Sequence, residues 1–134
     1  AQRELAQLAR TLPQVSGEIR DLPEREGPGN ALLVEVEHAF LSEVFTAFGA
    51  RGLAAEKVAD QVAAKVRAYL DSPAAVGEHL ADQLALPMAL AGGGSFTTGQ
   101  PSSHLTTNLA VIERFLPLRS QIEYAEGRWL VGMG

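Results

Sequence analysis

A chain of 134 residues is long enough to bury a core of one domain's size. Its net charge of −5 excludes a broad electrostatic pull toward RNA or DNA, so any polyanion would need a local site or another polypeptide segment. The absence of cysteine excludes disulfides and thiolate metal sites and fits a cytoplasmic protein, and no apolar run is long enough to cross a bilayer.

In chain order, Ala1 to Leu12 predicts a helix, with Leu5, Leu8 and Leu12 three or four residues apart and Pro13 ending it. Val15 to Leu22 alternates weakly, as a strand would, and is followed by the charged, turn-rich loop Pro23 to Asn30. Two β-like runs come next, Ala31 to His38 and Phe40 to Phe48. Val34, Val36 and His38 share one face, Glu35 and Glu37 the other. Gly49 and Gly52 bracket a loop, and Leu53 to Ser72 is the clearest helix, with Val58, Val62, Val66 and Tyr69 as its inward stripe. A further helix is expected from about Ala74 to Ala91, with Leu80 and Leu84 packing inward and a bend at Pro87, where a backbone donor is missing. The triplet Gly92 to Gly94 closes it, and "SFTTG" reads as a short strand. Ser102 or Ser103 caps a last helix whose inner face is Leu105, Leu109, Ile112 and Phe115 or Leu116. Arg119 to Tyr124 and Arg128 to Gly132 form a hairpin around Glu126-Gly127. The pattern is α/β of the mixed α+β kind, in two-layer helix-on-sheet units, with a compositional seam near Ser72-Pro73. The opening helix lacks a strand before it and the first residue is Ala1, so the chain reads as a piece of a longer protein.

Three histidines bear on chemistry. His38, on the apolar face of a strand, reads as structural. His79 lies in "GEHLADQL", where His79, Asp82 and Gln83 share one helical face. That face is either plain solvated surface or a flat ring with donors and acceptors for a sugar or base. As a zinc site it falls short of the usual ligand count. His104 sits in the first turn of the last helix, where open backbone amides and the helix dipole favour an anion and disfavour imidazolium. A neutral imidazole beside a phosphate is suited to attack on phosphorus, and Thr106, Thr107 and Asn108 add donors nearby. The simpler alternative is a capped helix bearing a surface histidine. The glycine triplet is not a Walker A loop, because no Gly-Lys-Ser/Thr follows it.

The run "VGEHLADQLALPMALAGGGSFTTGQPSSHLTTNLAVIERFLP", Val76 to Pro117, closely resembles the C-terminal part of the RNA 3'-terminal phosphate cyclases. Two linked motifs carry the likeness, "HLADQ" and "SSHLTTN", and a looser likeness reaches back to the start of the chain. The resemblance implies that residues 1–72 are the later part of the family's inserted domain and 73–134 the last part of its catalytic domain. It implies ATP and a divalent cation (Mg²⁺ or Mn²⁺) as cofactors. The family's nucleophile falls on His104, which would carry AMP as a phosphoramidate before passing it to an RNA 3'-phosphate for closure to a 2',3'-cyclic phosphate. The nucleotide-binding segment falls on His79, Leu80, Ala81, Asp82 and Gln83, with His79 stacking on adenine. The implied partners are RNA ending in a 3'-phosphate and the family's first catalytic segment, whose acidic, arginine and glutamine residues are not in this sequence. No membrane is involved, and the 134 residues alone are expected to be a poor catalyst at best. A non-enzymatic relative acting in ribosome assembly is the alternative, and the presence of His104 speaks against it.

Overall fold

A computed structural model describes residues 1–26 and 29–134; residues 27 and 28, inside the expected Pro23–Asn30 loop, lie outside the described residues. The described residues form four α-helices and two small antiparallel sheets, a mixed α/β fold divided into two compact units, Ala1–Ala68 and Tyr69–Gly134. The division falls in the last turn of a helix, a few residues before Ser72-Pro73.

In the first unit, α1 (Gln2–Thr11) and α2 (Ala55–Leu70) accompany the hairpin of β1 (Ala31–Glu37) and β2 (Ser42–Phe48), whose register pairs Val34 with Phe45. Leu8, Leu32, Val34, Ala47 and the α2 residues Val58, Val62 and Val66 form its core. The valine stripe of α2 packs as its 3.6-residue spacing requires. The side chains of Arg3 and Glu56 pair bidentately at 2.8 and 2.7 Å, joining the starts of α1 and α2.

Two expectations fail here. Val15–Leu22 forms no strand: Ile19 and Leu22 are exposed, so the weak alternation marks no buried face, and no described strand pairs with this stretch. A strand without a hydrogen-bonding neighbour has nothing to fix it. His38 does not extend the apolar face of β1 either. It lies just past the strand, exposed, with its amide donating to the Leu41 carbonyl at 2.8 Å.

The second unit is a three-stranded sheet in the order β3 (Gly94–Thr98), β5 (Arg128–Met133), β4 (Ser120–Ala125), with α3 (Glu78–Leu90) packed on β3 and α4 (Ser103–Phe115) on β4. Val131 on the central strand is fully buried and pairs with Phe96 on one side and Ile122 on the other. The β4–β5 turn has positive φ at both Glu126 (53°) and Gly127 (79°), the mirror-image turn that suits the strands' right-handed twist. Gly93, at φ 114°, lies so close to the end of β5 that a Cβ there would stand 2.4 Å from the Met133 carbonyl oxygen. The glycine triplet therefore lets α3 reverse into β3 against another backbone.

Helix α3 starts later than its apolar pattern predicts. Ala74–Val76 are drawn to the sheet instead: the Ala75 amide bonds Thr97 through its Oγ1 at 3.0 Å and its carbonyl at 3.1 Å, and Val76 bridges Thr98 in parallel. Its inner face also differs. Ala81, Ala85 and Ala89 are buried, while Leu80 and Leu84 stand half-buried at the edge. Close packing of α3 on both α4 and β3 favours the smallest side chains at the contact. On α4, Leu105, Leu109 and Ile112 face inward as spaced, and Leu116 rather than Phe115 continues the face, Phe115 being 82% exposed.

Candidate functional site

The site residues all belong to the second unit. The Val76–Thr98 bridge brings the chain entering α3 beside the end of β3, from which the 99–102 loop rises into α4. Both helices therefore begin at the same end of the sheet, and His79 and His104 each occupy the second residue of their helix. Both imidazoles are exposed.

The two starts are built differently. Ser102 caps α4, its hydroxyl oxygen accepting from the Leu105 amide at 3.1 Å, and no acidic residue lies in the first turn. Helix geometry leaves the amides of Ser103 and His104 open there, facing whatever anion approaches. Gly77, at the N-cap of α3, makes no side-chain cap, and Glu78 in the first turn sets a negative charge against the dipole. Of the two, the α4 start is the better phosphate seat, and it carries His104.

The motifs meet through side chains. Asn108 Nδ2 donates to Asp82 Oδ1, joining α4 to α3 across 26 residues of sequence. His79 precedes Asp82 by three residues on α3 and His104 precedes Asn108 by four on α4, so each histidine lies one turn before the join on the same helical row. The Asp82–Asn108 join thus lies one turn beyond the two histidines, and Gln83, next to Asp82 on α3, is exposed. Asp82 is half-buried.

Within the expected nucleotide-binding segment, Ala81 is 1% exposed and Leu80 half-buried, so the Ala81 side chain packs the fold and only the edge of Leu80 reaches the surface. The Thr106 hydroxyl is engaged with the carbonyls of Ser102 and Ser103 at 3.2 and 3.1 Å, which removes it as a donor to a ligand. Spacing did not identify Asn108 as the partner of Asp82, since nothing local to either motif specifies how two helices are set against each other. Among the described residues, no group of three or more His, Asp or Glu is placed to hold a metal ion. These residues therefore do not by themselves make up the ligand set of a resident divalent cation.

Comparison with known proteins gives one answer. A family model described as RNA 3'-terminal phosphate cyclase matches residues 4–122. An RNA 3'-terminal phosphate cyclase of Salmonella typhimurium is 53% identical over 130 residues, covering 97% of this chain and 38% of the relative. One of Ralstonia nicotianae is 55% identical over 123 residues, covering 92% and 35%, and one of Salmonella heidelberg is 58% identical over 105 residues, covering 78% and 30%. The chain thus spans between about three tenths and two fifths of the length of these relatives.

Proposed function

Since the chain belongs to the RNA 3'-terminal phosphate cyclase family, we propose that it carries the nucleophile and part of the nucleotide seat of an ATP-dependent enzyme that closes RNA 3'-phosphates to 2',3'-cyclic phosphates. A ring nitrogen of His104 attacks the α-phosphorus of ATP, pyrophosphate leaves, and a histidine–AMP phosphoramidate results. An oxygen of the RNA 3'-phosphate then displaces the histidine and takes AMP. The neighbouring 2'-hydroxyl attacks the 3'-phosphorus, releasing AMP and closing the ring. The first two steps exist to supply a leaving group: a hydroxyl attacking a free phosphate monoester would have to expel oxide, whereas the adenylate expels AMP.

The observation that carries this reading is the Asp82–Asn108 hydrogen bond, which brings "HLADQ" and "SSHLTTN" onto one surface with the His104 ring exposed at a capped, acid-free helix start. The open amides there stabilise the charge that gathers on phosphate oxygens during each transfer. His79 stacks on adenine, while Asp82 and Gln83 supply the polar contacts beside it. A divalent cation would be held mainly by the nucleotide's phosphates. RNA with a 3'-phosphate is the substrate, the cytoplasm is the setting, and activity is expected of a polypeptide of the relatives' length, with further cationic side chains to grip ATP and RNA.

The test is to incubate the protein as its gene encodes it with ATP labelled at the α-phosphate. Acid-labile, alkali-stable label should appear and be lost in His104→Ala, while His38→Ala keeps it. Label persisting in His104→Ala would show that another group is the nucleophile. No label in the metal-supplied wild type would favour a non-catalytic, cyclase-like binding protein.

A further inference from the structure

We propose that Asn108 is a positioning residue for adenylation: its amide fixes the rotamer and lateral position of the Asp82 carboxylate, one turn along α3 from His79 and joined to the helix that carries His104. The inference rests on the functional reading above and adds a role for a side chain on the opposite helix. A carboxylate can only accept, so the Asn108 group facing it must be the amide nitrogen, and the direction of the bond from Asn108 Nδ2 to Asp82 Oδ1 is set by chemistry.

The pair is poorly placed to be a simple structural staple. It is exposed to solvent, and the unit that holds it already buries Ala81, Ala85 and Ala89 of α3 with Leu105, Leu109 and Ile112 of α4. Little of the fold's stability needs the amide. The carboxylate does need it, because a half-buried aspartate on a helix otherwise samples several rotamers. One amide bond on Oδ1 favours one of them and leaves the lone pairs of Oδ2 outside that bond. Asn108 is also one turn from His104 on the same row, so the bond couples the carboxylate's position to the helix that carries the nucleophile.

The experiment is a swap in the protein as its gene encodes it, read by rate of label uptake from α-labelled ATP at saturating ATP and by melting temperature. Asn108→Ala should slow uptake about tenfold to hundredfold, the cost of a misplaced group near reacting atoms, with little change in melting. Asn108→Asp sets two carboxylates against each other and should lower both readouts. The double variant Asp82→Asn with Asn108→Asp restores a hydrogen bond but moves the charge to α4. It should regain the melting temperature without regaining uptake. Recovery of both in the swap would overturn the proposal, since any hydrogen-bonded pair would then suffice. Wild-type uptake in Asn108→Ala, or loss of its melting transition, overturns it too, the latter by assigning the amide to folding. A wild type that takes no label refutes the functional reading itself and the positioning role with it, which separates that failure from a failure at Asn108 alone.

Discussion

Replacing Ser102 by alanine tests whether the opening turn of α4 presents His104. The Ser102 hydroxyl oxygen accepts from the Leu105 amide at 3.1 Å, and the Thr106 hydroxyl cannot take over, because it donates to carbonyls and carries no bond to that amide. A serine cap replaced by alanine typically costs about 1 kcal/mol. Here Leu105 is 0% exposed, so its amide reaches water only if the turn opens, and a buried donor left without a partner costs about 1–3 kcal/mol. The expected loss is therefore about 2 kcal/mol, at the upper end of the capping range. Amide hydrogen exchange reads it locally. At tenfold per 1.4 kcal/mol, the Leu105 amide should exchange about thirtyfold faster, while the amides of β1 and β2 keep their rates. Ser102→Asn retains an acceptor at the cap and should return the Leu105 rate to near wild type. An unchanged Leu105 rate in Ser102→Ala refutes the claim that this cap organises the turn and, with it, the account of how His104 is held.

Three further outcomes are expected. His79→Ala should raise the ATP concentration needed for half-maximal labelling by about fivefold or more, the low end of what a base–aromatic stack contributes, without lowering uptake at saturation; unchanged nucleotide affinity rules out the stacking role. Gly93→Ala should destabilise the second unit by at least about 1–3 kcal/mol from its backbone conformation alone, with the clash against the Met133 carbonyl oxygen added, as read by urea unfolding. Glu113 Oε1 accepts from the Ser120 amide at 2.7 Å and its hydroxyl at 2.6 Å. These bonds, with Arg119 nearby, hold the Glu113 carboxyl below its ordinary value of 4.5. A depressed folded value means stability that is present above the unfolded pKa and lost as pH falls through the folded one. Below about pH 4.5 the wild type should thus lose stability more steeply than Glu113→Gln, and equal slopes in acid denaturation would show that the contact is not charge-assisted.

The elements legible in the sequence were those whose burial follows the side chain's own hydrophobicity. Val58, Val62 and Val66 recur every fourth residue on α2 and face inward, so periodicity alone identifies them. On α3 the same reasoning put Leu80 and Leu84 inside, whereas the close approach of α4 and β3 selected Ala81, Ala85 and Ala89. Hydropathy ranks a residue's preference for burial but carries nothing about the distance between elements. The start of α3 departs from its apolar pattern for a related reason: Ala74 to Val76 have no local objection to a helix, and it is hydrogen bonds to Thr97 that hold them on the sheet. Within the site, the capped turn under His104 was readable because Ser102 and Leu105 are three residues apart. The Asp82–Asn108 bond was not, because its partners lie 26 residues apart and meet only through tertiary packing.

The polarity of the proposed site follows from the contrast between its two helix starts. Each offers a histidine at its second residue, yet Glu78 opposes a phosphate at α3 while no acid stands in the first turn of α4. Under the proposed function, a nucleotide laid across the pair would place its phosphates at α4 and its base at α3, the orientation that the roles proposed for His104 and His79 require. The net charge of −5 does not conflict with that arrangement. The attraction needed at the reacting phosphorus is local, supplied by backbone amides that add nothing to formal charge, and long-range pull on RNA is a separate requirement that cationic residues elsewhere in a longer polypeptide can meet. Glu78→Gln therefore separates the two effects: it should leave labelling at His104 in place, whereas an acid introduced by Ser103→Asp at the α4 start should suppress it by opposing the phosphate directly.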